Sequence, residues 1–211
     1  MKNLQFKQLL LLSDTQKKAN QFLFQKRFNL ITADDNSVGK STLAKLLLWT
    51  FGCEPDFDST WKSTDCKCLV DFSIDGTNYK ILRYQNFISL KEENKEILNY
   101  TNIGGDYSKK FAELVDFKVL LPKRGSNETE LITPPPAYYF LPFYMDQKNS
   151  WSKTWNSFGK LGQFDSWQKT VIKYHLGYLS PKHFELEQDL SDNKRQINEL
   201  NQEVEKIGYA L

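Results

Sequence analysis

The first part of the chain alternates apolar and polar residues in the way that strands require. Residues 4–14 and 21–32 are rich in strand-forming side chains and are joined by a polar stretch, so they predict a strand pair at the start of a sheet. Residues 66–90 alternate around Asp75-Gly76, a dipeptide that favours a tight hairpin, and a third strand is predicted from Phe87 to Leu90.

The middle of the chain predicts three helices and one interrupted strand. Leu43–Phe51 is almost wholly apolar and is followed by a glycine, which predicts a buried helix. Residues 105–117 and 163–179 predict two further helices. The three prolines at 134–136 are expected to exclude helix and to lead into an aromatic strand at 137–147, broken by a further proline.

The last part of the chain carries a heptad pattern, in which apolar residues recur in alternating steps of three and four or their sums. A lone helix with one apolar stripe needs a partner in water, so the stripe is expected to pair with another chain or with a later part of a longer protein. We therefore expect the N-terminal half of a head domain at 1–178 and the start of a coiled-coil arm at 179–211. The stripe consists of Leu179, Leu186, Leu190, Ile197, Leu200, Val204, Ile207 and Leu211.

Composition narrows the class of protein only moderately. Of 211 residues, 40% are hydrophobic and 26% charged, which is typical of a folded chain and not of a disordered one. The net charge of +2 means that any DNA-binding surface would be a local patch. No apolar run is long enough for a signal sequence or a membrane span. Three cysteines suit a cytoplasmic protein with buried free thiols better than a disulfide framework.

The most specific motif is a phosphate-binding loop of the form G-x-x-x-x-G-K-[ST], the Walker A pattern. Residues 34–41 match it except at the first position, where Asp34 replaces glycine, and the segment 29–49 predicts the strand, loop and apolar helix that the motif requires. Such loops point backbone N–H groups at a phosphate at a helix N-terminus. The residues expected to bind ATP are Asp34, Asp35, Asn36, Ser37, Val38, Gly39, Lys40, Ser41 and Thr42.

Asp34 determines how well this loop could bind phosphate. After glycine, Asp and Asn tolerate positive φ best, so Asp34 could take the conformation of the missing glycine, with its carboxylate turned away from the phosphates or lowering affinity. The competing interpretation is a Gly-Lys-Ser-Thr helix start that binds no ligand.

The order of the motifs resembles the N-terminal half of the ATPase head of SMC-like coiled-coil ABC ATPases, over essentially the whole chain. This group includes chromosome-maintenance proteins, the double-strand-break repair ATPase, RecN, RecF and the SMC-like subunits of anti-phage systems such as Lamassu. The matching features are an opening strand pair, "ITADDNSVGKSTL", a hairpin ending in Lys80–Arg83, "FYMDQKNSW" and the coiled coil. The resemblance implies an α/β P-loop NTPase fold: an ABC-type head with a mixed or antiparallel sheet around the P-loop helix, followed by a coiled-coil helix.

The resemblance also implies roles for individual residues. "FYMDQKNSW" looks like the Q-loop of the family, in which Gln147 would reach Mg²⁺ and the γ-phosphate side of ATP. Lys40 and Gln147 are then the catalytic candidates, and Ser41 and Gln147 the Mg²⁺ ligands. The competing interpretation of Gln147 is a surface glutamine after a buried aromatic strand.

Several family motifs are missing. Glycine is usual at the positions of Asp34 and Ser37, and there is no LSGGQ-like signature, no strand ending in Asp-Glu, and no switch histidine, since neither His175 nor His183 fits. The resemblance therefore implies half a head. Hydrolysis would require the C-terminal half and a second head, in a homodimer.

Double-stranded DNA and accessory or effector subunits are further expected partners, with no membrane. The process stays open between chromosome maintenance, DNA repair and anti-phage or anti-plasmid defence. DNA contact is expected near the root of the coil, where a solvated basic face is an equal alternative. The candidates are Lys148, Lys153, Lys160, Lys169 and Lys173 with Trp151, Trp155 and Trp167.

Two other functions remain possible from the sequence. One is a self-contained small P-loop kinase, against which stand the heptads and the absence of an arginine-rich lid and of a strand-final acidic pair. The other is a non-catalytic interaction module with a degenerate phosphate loop, for which Asp34 is the best support.

Overall fold

The computed structural model of the chain describes residues 2–35, 39–125, 130–148, 150 and 155–208, with only the backbone of Lys62. It forms two compact units. The first comprises Met1–Phe117 and Pro135–Lys160, and the second comprises Lys118–Pro134 and Leu161–Leu211.

The first unit is built on a six-stranded antiparallel sheet with the order β2-β1-β3-β4-β5-β6. The predicted hairpin is confirmed: Ile74 pairs with Thr77, and the turn residues Asp75 and Gly76 both have positive φ, as a type I′ turn requires. The predicted opening strand and the third strand are confirmed as well. The strands are β1 (Leu4–Ser13), β2 (Lys18–Leu23), β3 (Cys66–Ile74), β4 (Thr77–Tyr84), β5 (Phe87–Glu92) and β6 (Ile97–Tyr100).

The second strand predicted from the sequence is wrong in its extent. β2 ends at Leu23, and residues 24–33 form no strand. Phe28 and Leu30 in that stretch are about nine-tenths exposed, at 91% and 90%. An alternating apolar segment becomes a strand only where a neighbouring strand accepts its hydrogen bonds, and β2 already lies at the sheet edge in the part of the chain described.

The inner face of the sheet is covered by two helices, α1 (Lys40–Thr50) and α2 (Asp106–Val115). The sequence predicted a helix in both places, at 43–51 and at 105–117. Phe51, which follows α1 and is fully buried, makes edge-to-face contacts with aromatic rings from the sheet, from α2 and from α3 (Ala137–Phe140). The C-terminal end of α1 is therefore held in the aromatic core.

The aromatic strand predicted at 137–147 is wrong. Residues 137–140 form α3, and a 3₁₀ turn follows at Leu141–Phe143. The prolines do not exclude the helix because they lie at its start, where a missing N–H is no loss. Their carbonyls accept the first helical bonds: Pro135 accepts from Tyr138, and Pro136 from Tyr139.

The second unit is mainly helical. It contains the short strands β7 (Leu121–Pro122) and β8 (Leu131–Ile132), then α4 (Trp167–His175) and α5 (Pro181–Gly208). Of the helix predicted at 163–179, only the central part is helical, because Gly177 takes a positive φ after α4 ends. None of the helices described has the length and hydrophobicity needed to cross a membrane.

α5 carries the predicted apolar stripe. Its root is held by Phe184, which is buried against Tyr174 of α4. Beyond that point the stripe faces solvent, since Leu186, Leu190, Ile197, Leu200, Val204 and Ile207 are each at least half exposed.

Candidate functional site

The start of α1 has part of the geometry expected of a phosphate-binding loop. Gly39 caps the helix in the left-handed conformation, with φ 95° and ψ 10°, and its carbonyl accepts the N–H of Leu43 at 2.9 Å. A side chain at Gly39 would be strained by that φ. Asn36, Ser37 and Val38 lie outside the described residues, so the curl of the loop itself is not described.

Lys40 and Ser41 begin α1 on its accessible end. Gly39 and Ser41 are exposed, and Lys40 and Thr42 are partly buried. The Lys40 Nζ donates a hydrogen bond to the carbonyl of Asp35 at 2.7 Å, so the amine lies over the loop that precedes the helix. The unpaired N–H groups and the positive end of the helix dipole at this terminus favour an anion.

Asp34 and Asp35 are both exposed. Asp34 is not among the described non-glycine residues with positive φ. The conformation that the sequence suggested for it as a glycine substitute is therefore not the one it adopts in this structure.

Gln147 lies in an exposed turn that directly follows a buried carboxylate. Asp146 is 4% exposed, and its Oδ1 lies 3.2 Å from the Nζ of Lys45 in the second turn of α1. The side chains of this ion pair are 3% and 14% exposed. The structure thus places Gln147 next to a group anchored on the helix that starts at Lys40, whereas the Lys40 amine itself bonds to Asp35.

Asp146 is also tied into its own segment. Its Oδ2 accepts the N–H of Lys148 at 3.2 Å, and its Oδ1 accepts the hydroxyl of Tyr144 at 3.3 Å. Its N–H donates to Ser150 Oγ at 2.7 Å, and Ser150 and Ser157 share a hydrogen bond of 2.6 Å. This network fixes the turn from both sides of the glutamine.

Asp56 provides a second anchor for the same turn. Its carbonyl accepts the Lys45 Nζ at 2.5 Å, and its Oδ2 accepts the Lys148 Nζ at 3.0 Å. Both neighbours of Gln147 are therefore held: Asp146 by Lys45, and Lys148 by Asp56. The second ion pair is solvent-exposed and contributes little by itself.

The pKa of Tyr144 is affected by its place in this network. Burial of the ring raises the pKa of Tyr144 well above its usual value, and the negative charge of Asp146 adds to the effect.

The opposite end of α1 is capped by Arg83 of β4. Its guanidinium, 2% exposed, donates to the carbonyls of Trp49 at 2.5 Å and Cys53 at 3.1 Å, and it pairs with Glu54 at 2.6 Å. It also stacks 4.2 Å from the Trp49 ring. A cation at a helix C-terminus is electrostatically favourable, and here it holds α1 to the sheet.

Sequence reasoning missed Lys45, Asp146 and Arg83. The signals were present but weak. Lys45 interrupts the apolar run of α1, and Arg83 falls on the inward-facing side of β4 with Tyr79 and Ile81. Each is a charge at a position where the pattern calls for an apolar residue, which is typical of a paired buried group.

The predicted DNA-binding residues are divided between the two units. Trp151 and Lys153 lie outside the described residues. Lys148 pairs with Asp56, and Lys160 lies 3.7 Å from Glu54, so the charges of both are partly neutralised. The remaining candidates fall in different units: Trp155 in the first, and Trp167, Lys169 and Lys173 in the second, where Trp167 is buried.

These features define an α/β chain with an antiparallel sheet, in which a helix beginning at Gly-Lys-Ser-Thr is fastened to a buried acidic turn. No protein-family model matches it. The chain is similar to two proteins described as Lamassu protein LmuB. The one from Bacillus cereus (strain VD014) is 27% identical over 180 residues, covering 85% of this chain and 31% of the relative.

The second, from Bacillus sp. (strain NCIM 5461), is 27% identical over 136 residues, covering 64% of this chain and 23% of the relative. The chain therefore spans less than a third of the length of either relative. The expected resemblance to subunits of Lamassu systems gains support at this coarse level.

Proposed function

We propose that this chain is the N-terminal part of an ATP-binding head of an SMC-like ATPase that acts in anti-phage defence. The observation that carries the proposal is the presence, on one helix, of the Gly39-Lys40-Ser41 start and of the anchor that holds the Gln147 turn through Lys45 and Asp146. A movement of α1 would then shift both the phosphate-binding helix start and the Gln147 turn.

The described residues fit Mg-ATP in their chemistry. The amine of Lys40 would exchange the Asp35 carbonyl for the β- and γ-phosphate oxygens. The Ser41 hydroxyl and the Gln147 amide oxygen would bind Mg²⁺, which prefers oxygen ligands. When bound, ATP supplies the phosphoanhydride bond that is hydrolysed. The chain's own contribution is to bind and orient the phosphates, since its sequence contains no apolar strand ending in Asp-Glu to activate water.

A C-terminal half is proposed to complete the sheet. Phe28 and Leu30, in the apolar segment before the loop, are exposed. This exposure is expected of a segment that pairs as a strand only when a neighbouring strand is present. The greater length of the relatives is consistent with such a half. Dimerisation on ATP, with a second head supplying the signature motif, and action on double-stranded DNA with accessory subunits follow from the same proposal.

The role in defence is supported by the relatives, both described as Lamassu proteins. A non-catalytic interaction module is the second candidate. It is favoured by Asp34, an exposed acidic residue at the position where the loop motif has its first glycine.

Titration with Mg-ATP tests the proposal. We expect the full-length protein to bind Mg-ATP and Lys40→Ala to bind it about ten- to a hundredfold more weakly, the loss of one hydrogen bond to a charged group. Lys17→Ala, at an exposed lysine in the turn between β1 and β2, is the matched control and should bind as the parent does. Equal binding by the parent and Lys40→Ala, or no binding by either, favours the interaction module.

A further inference from the structure

Two of the three cysteines form a close pair on β3. Cys66 is the first residue of the strand and Cys68 the third, so both side chains point to the same side of the sheet. Their Sγ atoms are 3.9 Å apart and hydrogen-bonded, and both thiols are free. Cys53, also free, is fully buried.

The two thiols of the pair differ in access. Cys66 is partly exposed and lines an open cavity of about 870 Å³ that also includes Asp65 and Tyr84. Cys68 is fully buried. A small solute can therefore reach Cys66 from the cavity, and the sulfur nearest to the product of that reaction is Cys68.

The contact between the thiols also shifts their pKa values in opposite directions. The hydrogen bond from Cys68 lowers the pKa of Cys66, whereas the same contact, together with burial, raises the pKa of Cys68. Since the thiolate is the reactive form, the accessible cysteine is also the more nucleophilic one. Burial raises the pKa of Cys53 well above its usual value, which makes it inert.

We propose that Cys66 and Cys68 are a peroxide-reactive dithiol, with Cys66 as the attacking thiol and Cys68 as the resolving one. The Cys66 thiolate attacks the terminal oxygen of a hydroperoxide, the O–O bond breaks, and an alkoxide or hydroxide leaves and takes a proton from solvent. The Cys68 sulfur then attacks the Cys66 sulfenic acid and water leaves. The peroxide is reduced by two electrons, and the two thiols are oxidised to one disulfide.

Closure of this disulfide requires the end of β3 to change conformation. A disulfide requires the sulfurs to approach to about 2.05 Å. Residues two apart in an extended strand stand about 6.5 Å apart, whereas a disulfide brings the two Cβ atoms to about 3.8 Å. The Cys66–Cys68 segment must therefore leave the extended conformation, and Cys66 must separate from its partner Ser13 on β1. Strained or exposed disulfides have more oxidising potentials, so cellular thiols should reduce this one again.

Peptide mapping of the full-length protein tests the proposal, and it does not depend on the proposed function. The protein is treated with hydrogen peroxide, quenched with N-ethylmaleimide and digested with trypsin, which cuts after Lys67 between the two cysteines. We expect the Cys66 and Cys68 peptides to be recovered joined, and to separate after reduction. Cys53 in the same sample should remain alkylated in full once the protein is unfolded.

Two variants separate the roles of the thiols. In Cys68→Ser, Cys66 should stop at a sulfenic acid that dimedone labels. In Cys66→Ser, Cys68 should stay reduced at the same peroxide dose. Oxidation of Cys68 in Cys66→Ser as fast as in the parent would overturn the proposal. So would recovery of Cys66 as a sulfinic acid with Cys68 still reduced, or as a disulfide between two chains.

Discussion

The Nζ of Lys45 lies 3.2 Å from Oδ1 of Asp146, and this buried ion pair fastens the turn that carries Gln147 to the helix that begins at Lys40. The two residues are far apart in sequence and come from segments with different roles. Because both side chains are largely removed from water, each charge depends on the other for compensation.

Removing one member of this pair should destabilise the first unit strongly. We expect Asp146→Ala to lower the free energy of unfolding by about 3–5 kcal/mol, because the buried Lys45 loses its negative partner and keeps a neutral one, the carbonyl of Asp56. Urea denaturation followed by tryptophan fluorescence measures this. Lys148→Ala, which breaks the exposed pair with Asp56, is the control and should cost at most about 1 kcal/mol. Equal losses of unfolding free energy in the two variants would show that the buried Lys45–Asp146 pair stabilises the fold no more than the exposed pair does.

Asp34 should weaken nucleotide binding through its charge. A carboxylate near bound phosphates opposes them, so Asp34→Asn is expected to raise the affinity for Mg-ATP by about two- to fivefold, the size of a charge effect at an exposed helix N-terminus. Isothermal titration calorimetry at low ionic strength is the measurement. Asp34→Gly should add a further gain if the loop also needs positive φ at this position. Unchanged affinity in both variants would mean that Asp34 lies away from the phosphates.

Tyr107 should make the fold sensitive to alkali. Burial raises the pKa of Tyr107 well above its usual value, and its hydroxyl donates to the carbonyl of Phe51 at 2.8 Å. Above pH ~10 the unfolded chain loses this proton while the folded protein keeps it. The unfolded state then binds fewer protons, so stability is fully present below that pH and falls as the pH rises.

In Tyr107→Phe the alkaline fall should be shallower, although the variant starts about 1 kcal/mol less stable because the hydrogen bond is lost. Urea midpoints between neutral and strongly alkaline pH give the two curves. Tyr178→Phe, at a tyrosine that is 77% exposed, should leave the profile unchanged. A Tyr107→Phe curve parallel to that of the parent would contradict the assignment.

The exposed stripe of α5 should drive association of the 211-residue chain. Leu200 is 60% exposed in the centre of the stripe, and a helix with one unpaired apolar face gains from a partner. Sedimentation velocity should show a concentration-dependent dimer for the chain and mostly monomer for Leu200→Asp. Glu203→Gln, on a polar face of the same helix, should still dimerise. A parent chain that stays monomeric at all concentrations would show that the stripe does not pair with itself.

Local patterns determined several elements of both units. The Asp75-Gly76 hairpin, the apolar α1 and the heptads of α5 could each be predicted because turn chemistry and side-chain periodicity act over a few residues. The loop motif likewise marked the start of α1, where Gly39 takes the left-handed conformation that the glycine permits.

Tertiary structure decided the rest. Residues 24–33 have strand-like alternation but form no strand, because pairing requires a neighbour that the described chain does not supply. The segment at 137–140 became helix because its prolines fall at the first turn. The partnership of Lys45 with Asp146 was equally hidden, since an ion pair between distant segments is created by packing and leaves only two isolated charges in the sequence.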